Sequence, residues 1–235
     1  MSFGNNLGAQ VTNTFGPLIL NGFGFDKYTT LLLNMPFGAI QYLVIIGVAF
    51  AVIRFRWKSL TLVIILIPIL VGLVMLYTLP RGFSHTGPLL VGYYLLAFIF
   101  GGNTLIVSWI LANTAGQTKR SAVLALYNAS ASAGNIVGPL LFTAADAPAY
   151  IPGLRSTLGV YAMILAVVVL QVGNLTLLNK RQSARRVANG KPAQIHDHSM
   201  DHAYVDFNAD NSDSIGNSAF EDLTDRENDE FIYVY

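Results

Sequence analysis

The sequence contains no cysteine, and only 11% of its 235 residues are charged. The first absence excludes disulfides, thiolate metal sites and cysteine nucleophiles together. The second sets the chain apart from soluble domains, of which about 25% is charged; charges this sparse cannot cover a water-facing globule. The net charge is +1, and no basic stripe with interleaved aromatics is present, so nucleic acid is excluded as a partner. Residues 1–6 show no basic segment leading into an apolar run and a small-residue cleavage site, so no signal peptide is read and the first span is expected to direct insertion. There is no His-Glu-x-x-His motif and no serine elbow with an intramembrane His or Lys partner, so the chain is not read as an enzyme. No charged ring or filter-like run suggests a channel. No cofactor and no metal are expected.

What is present is apolar sequence in long runs: 53% of the chain is hydrophobic. Segments 34–53, 60–79, 88–112, 122–144 and 158–178 each have the length of a bilayer-spanning helix, about 20 residues. Segment 1–20 is a sixth candidate, interrupted by Asn5, Asn6, Gln10, Asn13 and several glycines. It reads either as a span or as a polar N-terminal tail outside the membrane. Arg54, Arg56, Lys58, Lys119, Arg120, Lys180, Arg181, Arg185 and Arg186 fall at one set of ends, against Lys27, Arg81 and Arg155 at the other. The positive-inside rule makes the first set cytoplasmic, which puts both termini inside. The chain therefore divides into a transmembrane bundle, 1–178, and a cytoplasmic tail, 179–235. The tail is rich in Asn, Asp, Ser and Gly and is expected to be largely disordered, with docking of its acidic-aromatic stretch 220–235 as the other reading. His196, His198 and His202 lie in that tail, where nothing rigid would fix a metal geometry.

Polarity is distributed in an ordered way. Asn6, Gln10 and Asn13 recur at i, i+4, i+7 and so share one helical face; Asn128, Ser132 and Asn135 repeat that spacing in the fifth span. Asn103 and Ser108 lie in the fourth. Amides in hydrocarbon are costly unless they meet other helices or water, so these faces are expected to turn inward. Spans 60–79 and 158–178 are nearly uniform Leu, Ile and Val and read as lipid-facing all round. In order the six spans read polar, intermediate, apolar, polar, polar, apolar, a period of three such as nested triplet repeats leave in transporters. Asn6, Gln10, Asn13, Asn103, Ser108, Asn128, Ser132 and Asn135 are accordingly candidates to line a cavity and bind substrate through amide and hydroxyl groups. Interhelical hydrogen bonding without a ligand is the competing explanation. Ser130, Gly134 and Gly138, four apart, would let a neighbouring helix approach closely.

Several stretches resemble one family. Asn21-Gly-Phe-Gly-Phe-Asp26 followed by Thr30-Leu-Leu-Leu-Asn-Met-Pro-Phe-Gly-Ala-Ile-Gln41 is similar to an extracellular loop and the next helix of fungal allantoate permease-like proteins, in the anion:cation symporter group of the major facilitator superfamily. Asn113-Thr-Ala-Gly-Gln-Thr-Lys-Arg-Ser121 resembles the loop before that group's eleventh helix, and Gly134-Asn-Ile-Val-Gly-Pro139 the helix itself. Ala149-Tyr-Ile-Pro-Gly153 and Asp222-Leu-Thr-Asp-Arg-Glu-Asn228 also match. The family's aromatic-basic-aromatic tail pattern is here Phe231-Ile-Tyr233, without the basic residue. The resemblance implies an all-α integral membrane fold of six transmembrane helices in two triplet repeats, equivalent to the C-terminal half of a twelve-helix transporter. It implies secondary active transport, proton-coupled, of a small organic anion such as allantoate, ureidosuccinate, a vitamin carboxylate or a short peptide, in the plasma membrane. No Asp, Glu, His, Lys or Arg lies well inside a span, so this half can offer hydrogen bonds but no buried counter-charge. The implied partners are membrane lipid, the substrate, and either an N-terminal half or a second half-transporter copy. The alternative is a membrane fragment that does not itself transport.

Overall fold

The computed structural model describes residues 1–23, 25–55, 57–80, 85–147, 149–195 and 222–235, and among them it is helical apart from connections and the irregular segment 222–235. The helices are α1 (Ser2–Asn13), α2 (Gly16–Asn21), α3 (Lys27–Phe55), α4 (Lys58–Thr78), α5 (Thr86–Leu95), α6 (Phe98–Ala112), α7 (Gln117–Leu140) and α8 (Ile151–Ala188), with a 3-10 turn at Ala144–Asp146. Two pairs are rods interrupted once. Between α1 and α2 the cause is Pro17, whose ring meets the carbonyl four residues back. Between α5 and α6 the backbone tightens into three-residue bonds, Leu96 N–H to the Tyr93 carbonyl and Ala97 N–H to that of Tyr94, both 3.1 Å.

Four stretches, Tyr28–Phe55, Lys58–Thr78, Thr86–Ala112 and Ile151–Ala188, are long and apolar enough to cross a bilayer. The α1–α2 rod and α7 do not reach that apolarity; they are the rods that carry the amide stripes. Leu31, Leu32, Met35, Leu43, Ile46 and Phe50 of α3 are exposed, as are Met163, Val169 and Leu170 of α8. So much apolar surface is untenable in water and is the surface of an integral membrane protein.

Burial corrects the lipid-facing reading of both apolar spans: in 158–178, Tyr161, Ile164, Val168 and Leu175 of α8 are buried. Segment 60–79, read as lipid-facing all round, forms α4 at the centre of the core: Leu62, Ile65, Leu66, Ile69, Leu73 and Leu76 are buried against α5, α6 and α8, while Leu60, Ile64, Ile67, Val71, Val74 and Tyr77 face outward. An all-apolar helix carries no moment to say which side faces protein, since lipid and core are equally greasy. Close packing decides instead. A Cβ on Gly72 would stand 2.6 Å from the Gly92 carbonyl oxygen, so α4 and α5 cross at backbone contact.

The most extensive helix pair is α1 with α7. A Cβ on Gly134 would come within 2.3 Å of the Phe3 carbonyl oxygen, and one on Gly138 within 2.5 Å of Gln10 Cγ. On its other side α1 offers Gly4 and Gly8 to α8, where Tyr161 lies across Gly8. Four glycines thus let α1 lie between α7 and α8. At the end away from the basic clusters, Phe15 stacks on Phe142 at 4.5 Å with Tyr150 beside both.

The expectation of a tail from residue 179 meets a different arrangement in the described residues. Helix α8 continues through Ala188, so at about 1.5 Å per residue its 38 residues span about 57 Å and outrun a hydrocarbon core of about 30 Å. Arg185 and Arg186 in its last turn suit the helix C-terminus. Segment 222–235 lies back against the bundle. Arg56, Arg81, His196, His198 and His202 fall outside the described residues.

Candidate functional site: the amide-bearing faces and the basic end

Helices α1, α6 and α7 bring four of the eight candidate side chains, Asn6, Gln10, Asn103 and Asn135, into contact. Asn6, buried on α1, donates through Nδ2 to Asn103 Oδ1 at 3.2 Å and to the Ser2 carbonyl at 3.0 Å. Asn103 returns an N–H to Asn6 Oδ1 at 3.4 Å, and its own Oδ1 also accepts from the Tyr127 hydroxyl at 3.0 Å. Further along α1, Gln10 Nε2 donates to Asn135 Oδ1 at 2.8 Å, while Gln10 Oε1 accepts from the Thr14 hydroxyl. Candidate residues on different helices therefore meet in two pairs, the interhelical bonding that stood as the competing explanation.

Four of the predicted residues, Asn13, Ser108, Asn128 and Ser132, lie outside these two contacts. Asn128, Ser132 and Asn135 are exposed, each one position beyond the α7 stripe Tyr127, Ala131, Gly134 that packs on α1, and hence about 100° around the helix. Asn13 is exposed at the end of α1. Ser108 is half-buried, and its carbonyl accepts from Lys58 Nζ at 3.4 Å. Asn128, Ser132 and Asn135 have the side-chain chemistry to hydrogen-bond a polar solute, whereas Asn6 and Asn103 already satisfy one another.

Sequence reasoning missed three contributors. Asn5 is the most deeply buried amide; it donates to the Ile99 carbonyl at 3.3 Å and its Oδ1 accepts from the Tyr161 hydroxyl at 3.4 Å. Its place between Gly102 and Tyr161 was visible only as an interruption of an apolar run. Tyr127 and Tyr161 looked like ordinary apolar bulk until their hydroxyls found partners.

A cavity of about 460 Å³ opens between the N-terminal part of α1, the C-terminal half of α6, the N-terminal half of α7, and Gln171 of α8. Ser2, Asn113, Thr114, Tyr127, Ser130 and Gln171 give it polar walls; Ile106, Trp109, Val123 and Leu126 give it apolar ones. None of the eight predicted residues lines it. Among the described residues no group of His, Asp or Glu is placed to hold a metal ion.

Segment 222–235 crosses the end of the bundle beside this cavity. Val234 is held at both backbone atoms: its carbonyl accepts from Trp109 Nε1 and Asn113 Nδ2, each 2.9 Å, and its N–H donates to Asn113 Oδ1 at 2.8 Å. Asn179 grips Tyr233 in the same two-handed way at 2.8 and 2.9 Å. Asp222 receives the Gln117 N–H and the Thr118 hydroxyl, and Asp225 pairs with Lys119 and accepts from the Tyr233 hydroxyl at 2.8 Å. Lys191 bridges Asp229 and Glu230 at 2.8 and 2.9 Å. Burial pushes the Asp225 carboxyl up, but the bonds from Lys119 and Tyr233 outweigh it and hold the group below its ordinary value. Lys191 and Asn189 lower Asp229, and the same carboxylates raise Lys191.

The comparisons fit a membrane protein of this kind. No family model matches the chain, and no solved structure matches it significantly. It is 39% identical over 158 residues to an MFS-type transporter of Penicillium expansum, covering 66% of this chain and 31% of that protein. It is 31% identical over 228 residues to an uncharacterized transporter of Schizosaccharomyces pombe, covering 94% of this chain and 39% of that protein. It is 36% identical over 148 residues to a thiamine pathway transporter of Saccharomyces cerevisiae, covering 59% and 26%. The chain thus spans between about a quarter and two-fifths of the length of these relatives, and every one of the three carries the name of a transporter.

Proposed function

We propose that this chain is the six-helix C-terminal half of a major facilitator transporter that moves a small organic anion by secondary active, proton-coupled transport. The α1–α2 rod, α3 and α4 form one triplet, and the α5–α6 rod, α7 and α8 the other. The basic end, with Lys58, Lys119 and Arg120, is cytoplasmic in this reading, and the membrane is the plasma membrane. The observation that carries the proposal is the exposed stripe Asn128, Ser132, Asn135 on α7, joined through Asn135 to Gln10 on α1. A polar stripe at bilayer depth is tolerated only against protein or water. It therefore belongs to a solute path shared with a second bundle, where it offers hydrogen bonds to a carboxylate, an ureido group or a peptide bond. Likeness to named transporters over most of the chain supports the class of activity.

The share of those relatives that is covered favours an activity that needs more than this chain. Labelled-substrate counterflow tests it in proteoliposomes holding the chain alone, or the chain with the preceding part of the Penicillium expansum relative. Allantoate, ureidosuccinate, a vitamin carboxylate and a dipeptide would be the probes. Flux is expected only from the pair. No flux from the pair with any probe would overturn the reading, leaving a membrane fragment that does not transport.

A further inference from the structure

Segment 222–235 reaches further across the bundle than its lack of regular structure suggests. The backbone N–H of Lys58, at the start of α4, donates to the Tyr235 carbonyl at 2.8 Å. Trp109 and Asn113 hold Val234 from α6, and Gln117, Thr118 and Lys119 hold Asp222 and Asp225 from α7. From α8, Gln182 reaches the Asp225 and Asn228 carbonyls and Arg186 the Asp229 carbonyl at 3.0 Å. Four helices are joined at one end by fourteen residues that make no helix or strand of their own.

The attachment is polar and local in kind. Of its three aromatic side chains only Tyr233 is buried, and its acids meet Lys119 and Lys191 at the bundle's rim. Such contacts open at lower free energy than packed helices do. The attachment also touches both walls of the cavity described above. Trp109 and Asn113 belong to the α6 wall and directly hold Val234. Residues 117–119 begin the helix whose Val123, Leu126 and Tyr127 form the facing wall.

We propose that residues 222–235 are a detachable latch: an acidic-aromatic peptide bound in a groove at the basic end, which ties the start of α7 to α6 and α8 and holds the cavity mouth at its present width. Release lets α7 move relative to α6 and opens the cavity to water. The carboxylates of Asp222 and Asp225 fasten the α7 side, and Asn113 and Asn179 fasten the backbone of residues 233 and 234 on the other. The inference concerns this end of the bundle alone and stands whether or not the chain transports.

The absence of cysteine makes the test direct. Spin labels at cysteines replacing the exposed Ala184 of α8 and the exposed Arg226 report latch position by pulsed dipolar spectroscopy in the full chain in lipid nanodiscs. A separate Ile106→Cys variant, buried at 1% exposure in the cavity wall, reports access by its rate of reaction with a water-soluble thiol reagent; Val123→Cys is the alternative if that variant misfolds. The unaltered latch should give one narrow distance distribution. Asp222→Asn with Asp225→Asn should broaden it and speed labelling of the Ile106→Cys thiol about tenfold, as expected when local opening becomes easier. A broad distribution before substitution would refute seating. A narrow one after substitution would refute electrostatic fastening. A released segment with unchanged labelling would refute control of the cavity.

Discussion

Replacing Gly134 by alanine tests whether α1 and α7 are held by backbone contact. The added Cβ would stand 2.3 Å from the Phe3 carbonyl oxygen and 3.1 Å from the Leu7 nitrogen, where side chains essentially never come closer than 3.0 Å. Both neighbours are backbone atoms of a buried helix, so no rotamer change relieves the clash. Helix α1 must retreat by at least 0.7 Å, the difference between 2.3 and 3.0 Å. That retreat loosens contacts along the whole pair, because Gly138 meets Gln10 and Leu7 one turn on. Overpacking of this kind costs about 1 to 3 kcal/mol. Gly159, in α8, is the internal control: a Cβ there meets nothing within 4 Å, so Gly159→Ala should be neutral or stabilising by up to about 1 kcal/mol through helix propensity. Reversible unfolding in mixed micelles, followed by tryptophan fluorescence, gives both values. Gly134→Ala as stable as the parent, or Gly159→Ala equally damaging, would refute the packing argument.

Asn103 accepts from both Asn6 and Tyr127, so Asn103→Ala should destabilise by about 1 kcal/mol, and a double-mutant cycle with Tyr127→Phe should give a coupling of about 0.6 kcal/mol; zero coupling would count against the shared bond. Latch seating should depend on pH only at the extremes. Asp225 and Asp229 are held below the ordinary 3.8, so their contribution is present above that value and fades as pH falls through their lowered values. Lys191 is raised above 10.5, so its contribution is complete below that value and lost as pH rises through the raised one. Between about pH 5 and pH 9 the spin-label distance should stay constant, and a shift near neutrality would contradict these assignments. The carboxylates of these pairs are largely buried and their lysines partly exposed, so screening is incomplete and about 1 M salt should weaken the latch only slightly.

Much of the fold was legible because a bilayer dictates length: the runs 34–53 and 158–178 fall inside α3 and α8, and 60–79 matches α4 to its C-cap. Run 88–112 covers the broken α5–α6 rod, and 122–144 overruns the end of α7 at Leu140. The break between α1 and α2 was not foreseen although Pro17 carries it, and nothing in Leu95-Leu-Ala97 announced the one between α5 and α6, which arises from bonding geometry. The burial of α4 was not legible, since Leu62 and Ile64 are chemically alike and only tertiary packing makes one core and the other surface. Within the site, spacing identified amide stripes, and two contacts, Asn6 to Asn103 and Gln10 to Asn135, join them. Spacing could not show that Asn128 and Ser132 turn away from α1, nor that Tyr127 completes the Asn103 cluster. Docking of the acidic-aromatic end stood as the alternative to disorder, but where residues 222–235 seat was not legible. An extended segment has no period, and its partners Asn113 and Asn179 lie 121 and 54 residues away.

The environment of α7's exposed stripe decides between a solute path and a lipid face. Single cysteines at Asn128, Ser132 and Asn135, with Ile64 and Ile67 of α4 as lipid-facing references, would be exposed in liposomes to a membrane-impermeant thiol reagent, in the chain paired with the preceding part of a relative. Reaction at the three α7 positions, slowed by a transported anion, with the α4 positions silent, is the expected result. Silence at all five positions, with the α7 sites instead quenched by lipid-borne nitroxides, would contradict it.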